Sequence, residues 1–159
     1  MTQSRKSASD QVILQDYLQS LMTGCTDSLT VTLKDDQAHK SYLDRRIRLE
    51  ETIRITLRII DRSCFRKDHK RLGLRIDSVV VIEGGKDQKR MHAHLALTRP
   101  SEISSQQFRS YVQRAVSRCK TLGEQYEIRS IFDPEGWASY LAKEGLEALS
   151  PQCTHVAKP

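Results

Sequence analysis

The chain has 159 residues and a net charge of +6, and this basic excess on a small chain indicates a polyanionic partner, usually a nucleic acid. One domain of this size can fold on its hydrophobic core alone, and with 38% hydrophobic residues and no apolar run near about 20 residues we expect no membrane-spanning segment. The four cysteines lack metal-ligand spacing, so we expect reduced thiols and no structural zinc. The N-terminus lacks the apolar segment of a secretory signal, and we therefore expect a cytoplasmic location.

The N-terminal part is predicted to hold one helix and one strand. Residues 1–27 are assigned to a polar tail and a short amphipathic helix over 12–22, because apolar residues recur there at helical spacing. A strand is predicted over 28–34, where apolar residues alternate with threonines. Thr30 and Thr32 therefore share the face opposite the apolar one.

A long helix is predicted from residue 41 to about residue 65. Its apolar residues form one stripe, and six arginines lie off that stripe. The arginines form either a solvated basic face or a phosphate-contacting one. They are Arg45, Arg46, Arg48, Arg54, Arg58 and Arg62.

Next comes a predicted hairpin that carries metal-capable side chains. A β-branched run over 79–82 ends at Glu83, residues 84–88 have turn chemistry, and a second strand carries His92 and His94. Two side chains separated by one residue in a strand point the same way, about 7 Å apart, so both imidazoles can reach one ion. Glu83 can supply an oxygen ligand to the same ion.

The C-terminal part is predicted to contain a helix, a strand and a final helix. The second amphipathic helix covers about 108–119, and alternation predicts a fourth strand over 125–132. Asp133 and Pro134 form a helix start, and this helix is predicted to run to about Leu149. Residues 150–159 are assigned to a polar tail.

The element order predicts an α+β fold with a split β-α-β sheet, ferredoxin-like or RRM-like, over residues 28–149. The sheet is expected to be antiparallel and backed by helices, with an extra N-terminal helix and a C-terminal helix. The first and third strands should lie at its centre. Their apolar side chains would then face two helices, and Thr30, Thr32, His92 and His94 would face the other side, under the final helix.

The final helix carries Tyr140 and Lys143. A rotation of about 100° per residue places Tyr140 at the edge of the buried stripe, with Lys143 beside it. If the helix docks over the histidines, the tyrosine hydroxyl approaches the same ion. The alternative is an edge-of-core tyrosine whose hydroxyl lies in water.

Three short motifs follow one another in the order found in HUH endonucleases of the replication-initiator (Rep) class. They are the strand Leu29-Thr30-Val31-Thr32-Leu33, the pair His92-Ala93-His94 and the helical segment Tyr140-Leu141-Ala142-Lys143. The chain therefore resembles this family over residues 28–144. Relaxases of conjugative plasmids usually carry the tyrosine ahead of the histidines, whereas here it follows them, and this order favours the Rep class.

The resemblance implies a role for each motif residue. In the family, two histidines and an upstream acid hold a divalent cation, which here implies His92, His94 and Glu83 with Mn²⁺ or Mg²⁺. The tyrosine, here Tyr140, attacks a DNA phosphodiester, and the lysine, here Lys143, lies beside the reacting phosphate. The expected activity is site-specific nicking and joining of single-stranded DNA, which initiates rolling-circle replication through a covalent 5′-phosphotyrosine intermediate.

Two alternatives stay open. Single-tyrosine HUH transposases resemble the chain as well, and in them a side chain four residues after the tyrosine often completes the metal site, so Glu144 competes with Glu83 as the third ligand. The match at Lys143 favours Glu83 and the Rep class. A non-catalytic RRM-like nucleic-acid-binding module has the same predicted sheet. It would need stacking aromatic rings where Thr30 and Thr32 stand, however.

The remaining expectations concern DNA contacts and partners. Thr30 and Thr32 are candidate DNA contacts on the histidine face, together with the basic residues Lys86, Lys89, Arg90 and Arg129. The sequence lacks the glycine-rich phosphate loop of a helicase, so a separate helicase is expected. Since one tyrosine fits the nucleophile role, strand transfer needs a second round or a second subunit, such as a homodimer on DNA. The expected location is the cytoplasm of a cell that hosts a plasmid, phage or other mobile element.

Overall fold

The computed structural model describes residues 8–34, 40–84 and 90–157, so the predicted DNA contacts Lys86 and Lys89 lie outside the described residues. Within these ranges the chain forms four strands and five α-helices, which confirms the predicted mixed α+β fold. The elements are α1 (Ala8–Leu21), β1 (Asp27–Leu33), α2 (Tyr42–Phe65), α3 (Lys67–Leu72), β2 (Ser78–Glu83), β3 (His92–Leu97), α4 (Ser105–Arg118), β4 (Leu122–Ser130) and α5 (Pro134–Ala142). A short 3-10 turn, Leu146–Ala148, follows α5.

The four strands form one antiparallel sheet in the order β2-β3-β1-β4, with β1 and β3 at its centre as expected. The register pairs Thr30 with His94 and Thr32 with His92, and on the other side of β3 it pairs Glu83 with His92. Paired residues of neighbouring strands share a face of the sheet. The register therefore gathers these polar side chains on one face.

Helices α2 and α4 cover the opposite face. The predicted apolar residues of the central strands, among them Leu29, Val31 and Leu95, are buried there with Leu49 of α2 and Phe108 of α4. The 24-residue α2 is the longest described helix. None of the described helices combines the length and the apolar character that a bilayer crossing requires.

Helices α1 and α5 pack on the histidine face. A second apolar cluster there joins Leu18 of α1 and Leu141 of α5 to Val79, Val81 and Ala96 of the sheet. The N-terminal amphipathic helix is thus part of the folded unit. It begins at Ala8, four residues ahead of its predicted start.

Several element ends differ from the prediction. Helix α5 ends at Ala142 and not near Leu149, because Gly145 adopts a φ of +86° that takes the backbone out of the helix. Strand β4 ends at Ser130, so Phe132 lies beyond the strand to which the alternation assigned it. Helix α3 was not predicted, since it buries no residue and so has no apolar pattern.

Residues 150–157 are not a free polar tail. The Ser150 amide donates to the carbonyl of Val80 at 2.8 Å, and the His155 backbone exchanges two hydrogen bonds with Ser78. The Ser150 hydroxyl donates to the buried carboxylate of Glu50 at 2.9 Å. This segment therefore covers the outer edge of β2, which would otherwise present unpaired backbone groups.

Replacing Ser150 by alanine tests this docking. The substitution removes a donor to a buried carboxylate, so the free energy of unfolding should fall by about 1.5 to 3 kcal/mol. The control is Ser117→Ala, whose exposed hydroxyl bonds only to a carbonyl of its own helix and should cost less than about 0.5 kcal/mol. Urea denaturation measures both. Equal effects would contradict a docked C-terminal segment.

Candidate metal and nucleophile site

Three potential metal ligands meet where β2 ends beside β3. His92 and His94 project from the same face of β3, with ring centroids 5.0 Å apart. The Glu83 Oε2 atom lies 3.3 Å from His92 Nε2 and 3.7 Å from His94 Nε2. Ligand atoms of all three residues lie within 4.8 Å of one another, and no other such group of three occurs in residues 8–34, 40–84 and 90–157. The predicted ligand set is therefore close enough to bind one ion.

The carbonyl of Arg90, which lies against Gly84, orients His92. Gly84 has a φ of +75°, and a Cβ atom there would lie 2.3 Å from the carbonyl oxygen of Arg90. That oxygen accepts a hydrogen bond from His92 Nδ1 at 3.1 Å. Only glycine fits so close to this carbonyl. The hydrogen bond to the carbonyl leaves Nε2 of His92 facing Glu83.

His94 is oriented from β1. Its Nδ1 atom lies 2.9 Å from the hydroxyl of Thr30, and its Nε2 atom is buried without a hydrogen-bond partner among the described residues. Burial, helped by the nearby His92 and Lys143, lowers the pKa of His94 to about 4. The imidazole is therefore neutral at neutral pH, which is the form that binds metals.

The buried polar atoms fit a cation. Besides His94 Nε2, the Oε1 atom of Glu83 is buried and has no hydrogen-bond partner in the described part of the chain. Buried polar atoms without partners are uncommon in folded proteins, and a bound cation would satisfy both of these atoms. Two imidazoles and one carboxylate are donors that bind divalent metal ions in proteins.

Helix α5 brings an aromatic pair to the histidines. Its start is fixed by Asp133, whose carboxylate accepts from the Gly136 amide at 2.9 Å. The Trp137 and Tyr140 rings are stacked, with centroids 5.4 Å apart and planes 7° apart. Each packs edge-on against His94 at a centroid distance of 5.5 Å. Tyr140 is nevertheless 41% exposed, so an incoming substrate can reach it.

Lys143 connects the tyrosine to the acid. Its Nζ atom lies 3.5 Å from Glu83 Oε2 and 3.7 Å from the centroid of the Tyr140 ring. Partial burial by itself would lower the pKa of Lys143, but the Tyr140 hydroxyl and the Glu83 carboxylate raise it overall. Lys143 therefore places a positive charge between the phenol and the candidate metal site.

The two acids that compete for the metal occupy different positions. Glu83 belongs to the ligand group, whereas Glu144 does not. Glu144 is exposed on the wall of a cleft of about 390 Å³ that opens over Glu83, His92 and Lys143. The geometry therefore favours Glu83 as the third ligand.

The predicted DNA contacts are spread over the face. Thr30 bonds to His94, and Thr32 lines a shallow cleft with Arg90 and His92. Arg129 lies on β4, where it is exposed and paired with Glu127. It is not among the groups around the candidate ion.

Two aromatic residues near the site were missed as functional candidates. Trp137 was not among the predicted site residues, although its spacing of three residues from Tyr140 indicates that the two rings can stack. Phe132 was assigned to a strand face, and it is 92% exposed beside the start of α5. No sequence signal distinguishes such an exposed phenylalanine from a core residue.

Comparison of the chain with protein-family models, curated proteins and solved structures finds no significant match. The resemblance to HUH endonucleases therefore rests on the sequence motifs alone.

Calorimetric titration with Mn²⁺ tests the metal site. We expect binding to the unmodified protein and a loss of affinity in Glu83→Gln, which keeps the shape of the side chain but removes its charge. Replacing a residue that only hydrogen-bonds to a metal ligand lowers metal affinity by about 10- to 100-fold, so replacing a ligand should lower the affinity at least as much. Glu144→Gln is the matched control and should bind as the unmodified protein does. If Glu144→Gln lost binding and Glu83→Gln kept it, the assignment of the third ligand would be reversed.

Proposed function

We propose that the protein is a divalent-metal-dependent endonuclease of the HUH Rep class, which nicks and rejoins single-stranded DNA at specific sites to initiate rolling-circle replication. One observation carries the proposal. Tyr140 packs against His94 and lies under Lys143, and Lys143 in turn contacts Glu83 of the candidate metal group. A nucleophile, a cation and a metal-binding group thus meet at one point.

Glu83, His92 and His94 would hold the ion, Mn²⁺ or Mg²⁺. When bound, such an ion polarises the scissile phosphate and leaves open positions for its oxygens. The protein supplies the rest of the arrangement. The Thr30 hydroxyl and the Arg90 carbonyl fix the two imidazoles in the orientation that presents both Nε2 atoms to Glu83.

Tyr140 is the proposed nucleophile. Its phenolic oxygen loses a proton and bonds to phosphorus, the bond from phosphorus to the 3′ oxygen breaks, and that oxygen takes up a proton. The products are a 5′-phosphotyrosine ester and a free 3′ hydroxyl. Lys143, whose charge lies against the ring, would stabilise the negative charge on the phosphate as the bond to the phenolic oxygen forms. The reverse attack by a 3′ hydroxyl rejoins the strand.

The shape of the site favours a single strand. The reacting phosphate must enter a cleft of about 390 Å³ between the end of β2 and the end of α5. A flexible strand can place one phosphate there more easily than a stiff duplex can. The net charge of +6 adds attraction for the DNA backbone.

The proposal extends to fold family and partners. The strand order β2-β3-β1-β4 agrees with a split β-α-β sheet of ferredoxin-like type. Against a plain RRM-like binding module, the central strands carry threonine and histidine on this face, and α5 lies over it. We assign unwinding to a separate helicase and strand transfer to a second round or to a homodimer on DNA. The host would be a cell that carries a plasmid, phage or other mobile element.

A covalent-trapping experiment tests the reaction. The protein is incubated with Mn²⁺ and a labelled pool of single-stranded oligonucleotides of random sequence, and adducts that survive denaturation are recovered and sequenced. We expect an adduct that is lost in Tyr140→Phe and in the presence of EDTA. Lys143→Ala should slow its formation by about 100-fold or more, as when a transition-state donor is removed.

Tyr17→Phe is the matched control, because Tyr17 is 48% exposed on α1 and takes no part in the site. It should form the adduct at the unmodified rate. Peptide mapping of the adduct identifies the attached residue. An adduct that persists in Tyr140→Phe, or that maps to another side chain, would refute the proposed nucleophile.

A further inference from the structure

Tyr140 lies on the border between two clefts. One is the cleft over the candidate metal group. The other is a groove of about 690 Å³ between β4 and the start of α5, lined among others by Thr30, Arg109, Arg129, Phe132 and Trp137. Tyr140 lines both. A strand whose phosphate reacts at Tyr140 therefore has a second surface directly beside it.

Phe132 marks the outer wall of this groove. It lies in the short connection between Ser130, the last residue of β4, and the Asp133 cap of α5, and its ring is 92% exposed. The ring therefore has almost no protein surface to pack against. Trp137 lines the same groove and is stacked on Tyr140. The groove thus offers flat apolar surfaces that can hold another flat ring.

The charges along the groove cancel. Arg129 is paired with Glu127, and Arg109 donates to the Ser130 hydroxyl at 3.0 Å. Asp133, which caps α5, is a second acid on the wall. Two guanidinium groups and two carboxylates leave no net charge to attract a phosphate. They suit an uncharged ring with hydrogen-bond donors and acceptors on its edge.

We infer that this groove binds a nucleobase of the strand that reacts at Tyr140, with Phe132 as the stacking surface and the two arginines within reach of the edge of the base. The inference rests on the proposed function, which supplies the identity of the strand. The phosphate backbone passes over Tyr140, so that a phosphate enters the metal cleft and a base turns into the groove. A base paired within a duplex cannot make this turn, so the groove selects for single strands.

Binding can be measured without the reaction. The Tyr140→Phe protein keeps the aromatic ring that stacks on Trp137 and removes the proposed nucleophile. Trp137 is the only tryptophan of the chain, so its fluorescence reports on the groove. The probes are single-stranded oligonucleotides of about 12 nucleotides, within the site sizes of small single-strand-binding folds, in homopolymer and mixed sequences.

In this background we expect DNA to change the Trp137 fluorescence. Phe132→Ala should weaken binding by about 5- to 150-fold, the range for loss of one stacking ring, and Phe132→Tyr should retain it. Leu146→Ala is the control, because Leu146 is 62% exposed and lines a different groove. It should bind as the parent does.

An abasic scan separates stacking from a change in folding. In the oligonucleotide that binds most tightly, removing the base at one position should weaken binding to the parent protein, which retains Phe132. The same removal should not further weaken binding to Phe132→Ala, because both changes remove the same contact. Equal losses for intact and abasic DNA, a Phe132→Ala affinity equal to that of Leu146→Ala, or binding that leaves the fluorescence unchanged would overturn the inference. So would an absence of binding to every probe.

Failure of the groove and failure of the proposed reaction give different results. If the unmodified protein forms the covalent adduct and Phe132→Ala forms it with unchanged KM for DNA, the reaction stands and the base-binding groove is wrong. If Phe132 and one base are coupled in binding but no adduct forms, the groove stands and the proposed reaction is wrong.

Discussion

The site depends on the register of β1, β2 and β3. Thr30 can bond to His94, and Glu83 can meet His92, only because these residues are cross-strand partners. A slip of one residue would turn both imidazoles into the layer under α2 and α4. The opposite face resists such a slip, since Leu29 pairs there with Leu95 in the buried core. Apolar packing on one face therefore sets the polar geometry on the other.

Local periodicity explains which parts of the fold were predictable. Alternation in the strands gave the two faces, and the Asp133 cap gave the start of α5, because each signal lies within a few neighbouring residues. The docked C-terminal segment has no local signal. This segment is held by the hydrogen bond from Ser150 to Glu50, and these two residues are 100 positions apart in the sequence. A polar segment that docks through a single buried hydroxyl has the same composition as a solvent-exposed polar tail. The end of α5 could not be predicted either, because apolar residues continue in the sequence past Gly145, whose φ is positive.

The same distinction applies to the site. The spacing of His92 and His94 is a property of one strand, so the pair could be proposed from sequence. The choice between Glu83 and Glu144 could not be made in that way, because it depends on where α5 ends and how it docks. Lys143 is the residue that caps the C-terminus of the shortened helix, and from there its Nζ reaches Glu83 while Glu144 stays exposed. Tertiary packing therefore determines which of the two acids, Glu83 or Glu144, lies beside the histidines.

Lys143 also couples the proposed metal site to the proposed nucleophile. Its ammonium and the Glu83 carboxylate, 3.5 Å apart, balance each other's charge. A divalent ion bound to Glu83 would remove that balance and repel the ammonium. The side chain is 41% exposed on a flexible stem, so it can turn toward the cleft without leaving Tyr140. The excess positive charge would then be neutralised by one phosphodiester and one phenolate, which are the charges that the proposed reaction would bring together. With the ion bound, the net charge of the site would be zero only when the substrate phosphate and the ionised tyrosine are both present.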